Sequence, residues 1–109
     1  MSKNSWARGI EAENKVKEYL LKNNFELIEQ RYRTPFAEVD LLLRSPKGPL
    51  VMIEVKAISD WDRLLWRLDQ RQRQRLKRAC SFIENKYKKL VMLKVAYIDK
   101  FNKILFLDI

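Results

Sequence analysis

The chain has no histidine and a single cysteine, Cys80, among 109 residues. Without histidine there is no Ser-His-Asp or Cys-His nucleophilic site, no HExxH metalloprotease and no nuclease with a histidine base. One cysteine closes no internal disulfide, and with no histidine beside it cannot anchor a zinc site of the usual kind. Glycine and proline are sparse, at 2 and 3 residues, and there is no linker, low-complexity tract or internal repeat. The first twenty residues mix charged and apolar types, with no apolar run of signal-peptide or membrane-spanning length, so a cytoplasmic protein with no membrane partner is expected. Acidic residues are the minority, 14 Asp and Glu against 23 Lys and Arg, for a net charge of +9. That balance suits a polyanion such as nucleic acid. Any catalysis falls to carboxylates, lysine and a hard metal ion.

The length fits one domain, residues 1–109, with one modest core. Residues 5–23 carry helical periodicity, with Trp6, Ile10, Val16 and Leu20 on one stripe, Ser5 as N-cap and Asn23-Asn24 as the stop. Residues 25–33 alternate like an edge strand. Two further strands, about 36–44 and 50–57, flank Ser45-Pro46-Lys47-Gly48-Pro49. Residues 59–89 read as helical in two pieces, the second starting at an Asp69 to Gln72 capping box. Strands over about 90–99 and 103–108 close the chain around an Asp99 to Asn102 turn. The order αβββαββ predicts an α/β or α+β domain with a mixed sheet.

Four charges interrupt the apolar hairpin of residues 38–56. Strand parity puts Ala37, Val39, Leu41 and Leu43 on one face, and Glu38 and Asp40 on the other. Glu54 and Lys56 share a face in the second strand. A turn symmetric about Lys47 sets Leu42 against Met52, Asp40 against Glu54 and Glu38 against Lys56. Two carboxylates about 5 Å apart at Cβ repel, so something cationic should join them. One reading is a solvent-facing surface with a Glu38 to Lys56 ion pair. The other is a Mg²⁺ or Mn²⁺ site with hard oxygen ligands, Lys56 orienting or helping deprotonate an attacking water.

Glu13 lies within the apolar stripe of the first helix. A buried carboxylate needs a partner, either an arginine at the stripe's edge or the same metal. Gln72 lies on the stripe of Leu68, Leu76, Ala79 and Ile83, where capping and a site role both remain open. Around it Arg63, Arg67, Arg71, Arg73, Arg75, Lys77 and Arg78 place seven positive charges in sixteen residues. Such a field favours phosphate backbones irrespective of sequence. Trp61 and Trp66 read as core, with base stacking as the alternative.

Asp40 followed by Glu54-Val55-Lys56 resembles the PD-(D/E)XK nuclease superfamily. "AENKVKEYL" (12–20), "AEVDLL" (37–42), "VMIEVK" (51–56) and "RLKRACSFI" (75–83) resemble, in order, blocks of its YraN-like, UPF0102-type family. The resemblance implies a restriction-endonuclease-like core, a central mixed sheet flanked by helices. It also implies that Asp40, Glu54 and the Val55 carbonyl hold Mg²⁺ or Mn²⁺, that Lys56 is the catalytic lysine and that Glu13 is an auxiliary catalytic acid and metal ligand. DNA is the partner expected with that activity, and the charge of the second helix makes Arg71, Arg73, Arg75 and Arg78, with Gln72, the expected nucleic-acid-binding residues. Junction-cutting relatives work as dimers, which leaves a homodimer open. Ala12 and Ala37 stand where the family carries glycine, and Ala57-Ile58 where it carries Thr-Arg. A nucleic-acid-binding module with the nuclease fold and no turnover is the alternative.

Overall fold

The computed structural model describes residues 3–59, 61 and 68–109, with side chains from Gly9 onward. The side chain of Trp6, together with Arg63, Trp66 and Arg67, lies outside the described residues. The elements run α1 (Lys3–Lys22), β1 (Glu26–Arg33), β2 (Glu38–Arg44), β3 (Leu50–Ala57), α2 (Gln70–Tyr87), β4 (Val91–Ile98) and β5 (Ile104–Asp108). This is the α+β order expected from the sequence. Because α1 begins at Lys3, Ser5 sits inside the helix instead of capping it. At the far end Asn24 takes a left-handed conformation and Asn23 Nδ2 donates to the Tyr19 carbonyl, so the asparagine pair does end the helix.

The strands lie side by side in chain order, β1-β2-β3-β4-β5. Every neighbouring pair is antiparallel except β3 and β4, whose parallel pairing requires the crossover that contains α2. The tight β2 to β3 connection closes with Gly48 at φ 111°, donating its N–H to the Ser45 carbonyl at 2.9 Å. At the preceding corner the Thr34 hydroxyl accepts from the Phe36 and Ala37 N–H groups and donates to the Ala37 carbonyl, so no glycine is needed there.

Alternation along β3 sends Val51 and Ile53 towards α1, where they meet Val16, Leu20, Leu41 and Leu43. Leu50 and Met52 point the other way, into a cluster with Leu76, Ala79 and Ile83 of α2. The sheet is thus covered on both faces, which explains its near-continuous apolar runs.

Strict parity fails in β2. Val39 and Ala37 pack on the α2 side with Leu42, while Leu41 and Leu43 pack on the α1 side, so the expected single apolar face is broken at Asp40. Between the cross-strand pairs Gln30↔Leu41 and Tyr32↔Val39, the β1 residue Arg31 adopts φ 56°. A left-handed residue in a strand reverses the alternation locally. The reversal falls where the polar residues gather.

Candidate active site

The β2–β3 ladder follows the expected register, with Arg44↔Leu50, Leu43↔Val51, Leu42↔Met52 and Leu41↔Ile53, and then stops. Asp40 does not continue it by backbone pairing. Its Oδ2 instead accepts the Val55 N–H at 2.7 Å, a charge-assisted bond that pins the carboxylate beyond the end of the ladder. In a strand the N–H and C=O of one residue point to the same edge, so the Val55 carbonyl also belongs to the β2 side of β3.

Glu54 projects from β3 towards α2. Its Oε2 accepts a hydrogen bond from Gln72 Nε2 at 2.9 Å and lies 3.9 Å from Lys56 Nζ. Gln72 therefore has two separate bonds. Its backbone N–H goes to Asp69 Oδ1 at 2.8 Å, which caps α2, while its side chain is committed to Glu54. The capping contact uses only the backbone, so the choice between cap and site dissolves.

Asp40 and Glu54 also hydrogen-bond each other, and both are largely withdrawn from water. Burial, followed by the neighbouring Asp40 charge, pushes the Glu54 carboxyl up to about 8. Asp40 is raised as well, chiefly by burial, with the Val55 N–H working against the shift. At neutral pH the pair therefore keeps a proton between its two carboxyl groups. A divalent cation can stand where that proton stands, because it neutralises both oxygens at once. Among the described residues no third metal-ligating side chain converges with the pair. Two carboxylates and one carbonyl leave the remaining positions to water and phosphate, which is how Mg²⁺ is normally held.

Glu13 is buried within α1, and its charge raises both Asp40 and Glu54, so it belongs to the same electrostatic neighbourhood. Its carboxylate is already gripped by Arg31, Nε to Oε1 at 3.2 Å and Nη2 to Oε2 at 3.2 Å, with Gln30 Nε2 also at 3.2 Å. Glu38 turns from Lys56 to the arginines of β1, 3.5 Å from Arg33 and 4.0 Å from Arg31. The Glu38 to Lys56 ion pair, one of the two readings of the hairpin, is not formed, because the strand pairing ends at Leu41 and Ile53. Arg31 and Gln30 went unnoticed in the sequence; the only signal was that a buried Glu13 required a cation.

The side chains of Arg71, Arg73, Arg75, Lys77 and Arg78 are all exposed on α2. Arg75 lines a small open cleft of about 180 Å³ together with Ala37, Glu38, Glu54, Gln72 and Leu76, which joins the basic helix to the carboxylates. Trp61 packs at the edge of the α2-side core, and its indole N–H donates to Asp99 Oδ2 at 2.6 Å.

A family model described as uncharacterised protein family UPF0102 matches residues 12–105, from the residue before Glu13 to the start of β5. The chain belongs to UPF0102. Among its UPF0102 relatives, a protein of Rhodopseudomonas palustris strain BisA53 is 33% identical over 67% of this chain and 55% of its own. Another, from Persephonella marina, is 34% identical over 49% of this chain and 45% of its own. This UPF0102 chain thus spans about half the length of the curated relatives it matches. In fold it is similar to EndoMS in a solved complex with double-stranded DNA, at TM-score 0.53 and 17% identity over 77% of this chain and 34% of that one. Among the described residues no helix is long and apolar enough to cross a membrane.

Proposed function

We propose that the chain is a Mg²⁺- or Mn²⁺-dependent nuclease acting on DNA in the cytoplasm. The observation that carries this reading is the Asp40–Glu54 pair, two half-buried acids in contact at the end of a ladder, with Lys56 and Gln72 on the second of them. When bound, the metal would polarise a phosphate oxygen and lower the pKa of water. Asp40, Glu54 and the Val55 carbonyl would hold it. Lys56 would orient the attacking water and offset phosphate charge, and Gln72 would keep the Glu54 carboxylate in place. Glu13 would act as the auxiliary acid. Arg71, Arg73, Arg75 and Arg78 would grip the backbone, and the DNA in the EndoMS complex supports that class of substrate.

Purified protein incubated with branched, flapped, single-stranded and duplex DNA in Mg²⁺ or Mn²⁺ should cut at least one of them. Cleavage that persists unchanged in Asp40→Ala and Lys56→Ala would sink the assignment.

The Arg31 grip on Glu13 favours a second reading, a nucleic-acid-binding module without turnover, since the auxiliary acid is occupied by a cation of the protein itself. In that case binding is salt-dependent and indifferent to Mg²⁺ and to Asp40→Ala.

A further inference from the structure

Phe101 is 79% exposed, the largest exposure among the big apolar side chains of the described residues. An isolated surface phenylalanine is ordinary, but this one stands on a built support. Asp99 Oδ1 accepts the N–H groups of Phe101 at 2.8 Å and Lys103 at 2.9 Å, while its Oδ2 takes the Trp61 indole N–H. The backbone is closed from both sides, Asp99 N–H to the Lys103 carbonyl and Asn102 N–H to the Asp99 carbonyl, each at 3.0 Å. Asn102 supplies the left-handed residue that such a turn requires, at φ 66°. Five bonds thus fix the turn, yet its tip ring is held out in water.

Two lysines belong to the turn, one at this ring and one at the ring of Trp61. Lys100 Nζ lies 5.4 Å from the Phe101 centroid, and Lys103 Nζ lies 6.0 Å from the ring of Trp61. The parallel register pairs Lys56 with Tyr97 and Ala57 with Ile98, so the turn leaves β4 at the end of the sheet where Lys56 stands. Asp99 is two residues past the level of Lys56, about 7 Å along the strand.

We propose that the Lys100-Phe101-Asn102-Lys103 turn is a stacking platform for an unpaired nucleobase. Phe101 offers a π-face to a base not covered by its neighbours, and Lys100 and Lys103 meet the phosphates on either side. A phenylalanine edge has no donor or acceptor, so the platform reads the absence of pairing and not base identity. A rigid, exposed aromatic between lysines is poorly matched to a closed duplex, whose base faces are stacked away. The ligand class is therefore DNA with a single-stranded segment, such as a fork, flap or end. This rests on the DNA-acting reading proposed above, but binding at the turn requires neither metal nor Asp40.

The test is fluorescence anisotropy in EDTA with three labelled probes, a single strand, a forked duplex and a blunt duplex, for wild type, Phe101→Ala and Phe101→Trp. Phe101→Ala should bind the first two roughly tenfold more weakly and the blunt duplex within about twofold of wild type, with Phe101→Trp restoring affinity. A 2-aminopurine in the unpaired strand should be quenched by wild type and not by Phe101→Ala. Equal affinity of Phe101→Ala and wild type for all probes, or an equal loss on all three, would overturn the platform while leaving the nuclease reading standing. If the wild type binds none of the probes in EDTA, the platform fails, while the nuclease reading stands or falls separately on cleavage in Mg²⁺ or Mn²⁺. Phe101-dependent binding to vesicles of 30% phosphatidylserine without any Phe101-dependent DNA binding would assign the turn to a lipid surface and overturn the proposal. Because the side chain is exposed, thermal unfolding of Phe101→Ala should match wild type, so a folding defect cannot imitate the result.

Discussion

Arg31 closes on the Glu13 carboxylate with two nitrogens, each 3.2 Å from a different oxygen, so that α1 and β1 are joined by a bidentate pair. The glutamate is buried and the arginine partly open to solvent, which makes the pair unequal. Losing the arginine leaves a buried charge, whereas losing the acid leaves a cation that can still reach water. Arg31→Ala should cost about 3 kcal/mol. Glu13→Gln should cost clearly less, and the double variant should recover most of the arginine loss. Urea unfolding of the four proteins gives the cycle directly.

Glu54 makes the stability of the metal-free protein depend on pH in an unusual direction. Its folded pKa of about 8 lies above the ordinary 4.5 because burial and Asp40 favour the neutral form. Between those values the folded state holds a proton that the unfolded state has released, so stability falls as pH rises. The contribution is complete below about 4.5 and gone above about 8. Melting temperatures at several pH values in EDTA should decline across this window for wild type, with a shallower slope for Glu54→Gln.

Gln72 and Asp69 separate cap from site. Asp69→Ala removes the acceptor for the Gln72 N–H and should destabilise the fold by about 1 kcal/mol, with divalent-metal affinity unchanged. Gln72→Ala keeps that cap and removes the amide on Glu54, so it should cost about 1 kcal/mol through the lost hydrogen bond and, unlike Asp69→Ala, alter Mn²⁺ affinity. Thermal unfolding and Mn²⁺ titration of both variants distinguish the two effects.

The exposed arginines of α2 should act on DNA as phosphate contacts. Arg71→Ala, Arg73→Ala or Arg78→Ala should each weaken binding alike for unrelated sequences and lower the salt slope by about 1. Arg75 lies in the cleft with Glu54, so Arg75→Ala should in addition change the metal dependence of binding. Anisotropy titrations at several salt concentrations measure both.

The order of the elements, the Ser45–Pro49 turn, the Asp69 cap and the register of Leu42 against Met52 were all legible, because each follows from local chemistry or from a period of two. The meeting of Glu54 with Gln72 was half visible, as a polar residue on an apolar stripe. What could not be read was the reversal of parity at Asp40, which falls opposite the left-handed backbone of Arg31 in a different strand, and no local rule makes an arginine take that conformation. The same reversal hid the real partners of Glu13 and Glu38. A buried acid announces that it needs a cation, but the pairing comes from tertiary geometry.

The central claim is that Asp40 and Glu54 exchange a shared proton for a divalent cation. Mn²⁺ titration calorimetry on metal-free protein at pH 7, repeated in two buffers of different ionisation enthalpy, tests it most directly. Wild type should bind Mn²⁺ and release protons on binding, whereas Asp40→Ala and Glu54→Ala should lose the binding. No Mn²⁺ binding by wild type, or binding that Asp40→Ala and Glu54→Ala leave intact, would contradict it.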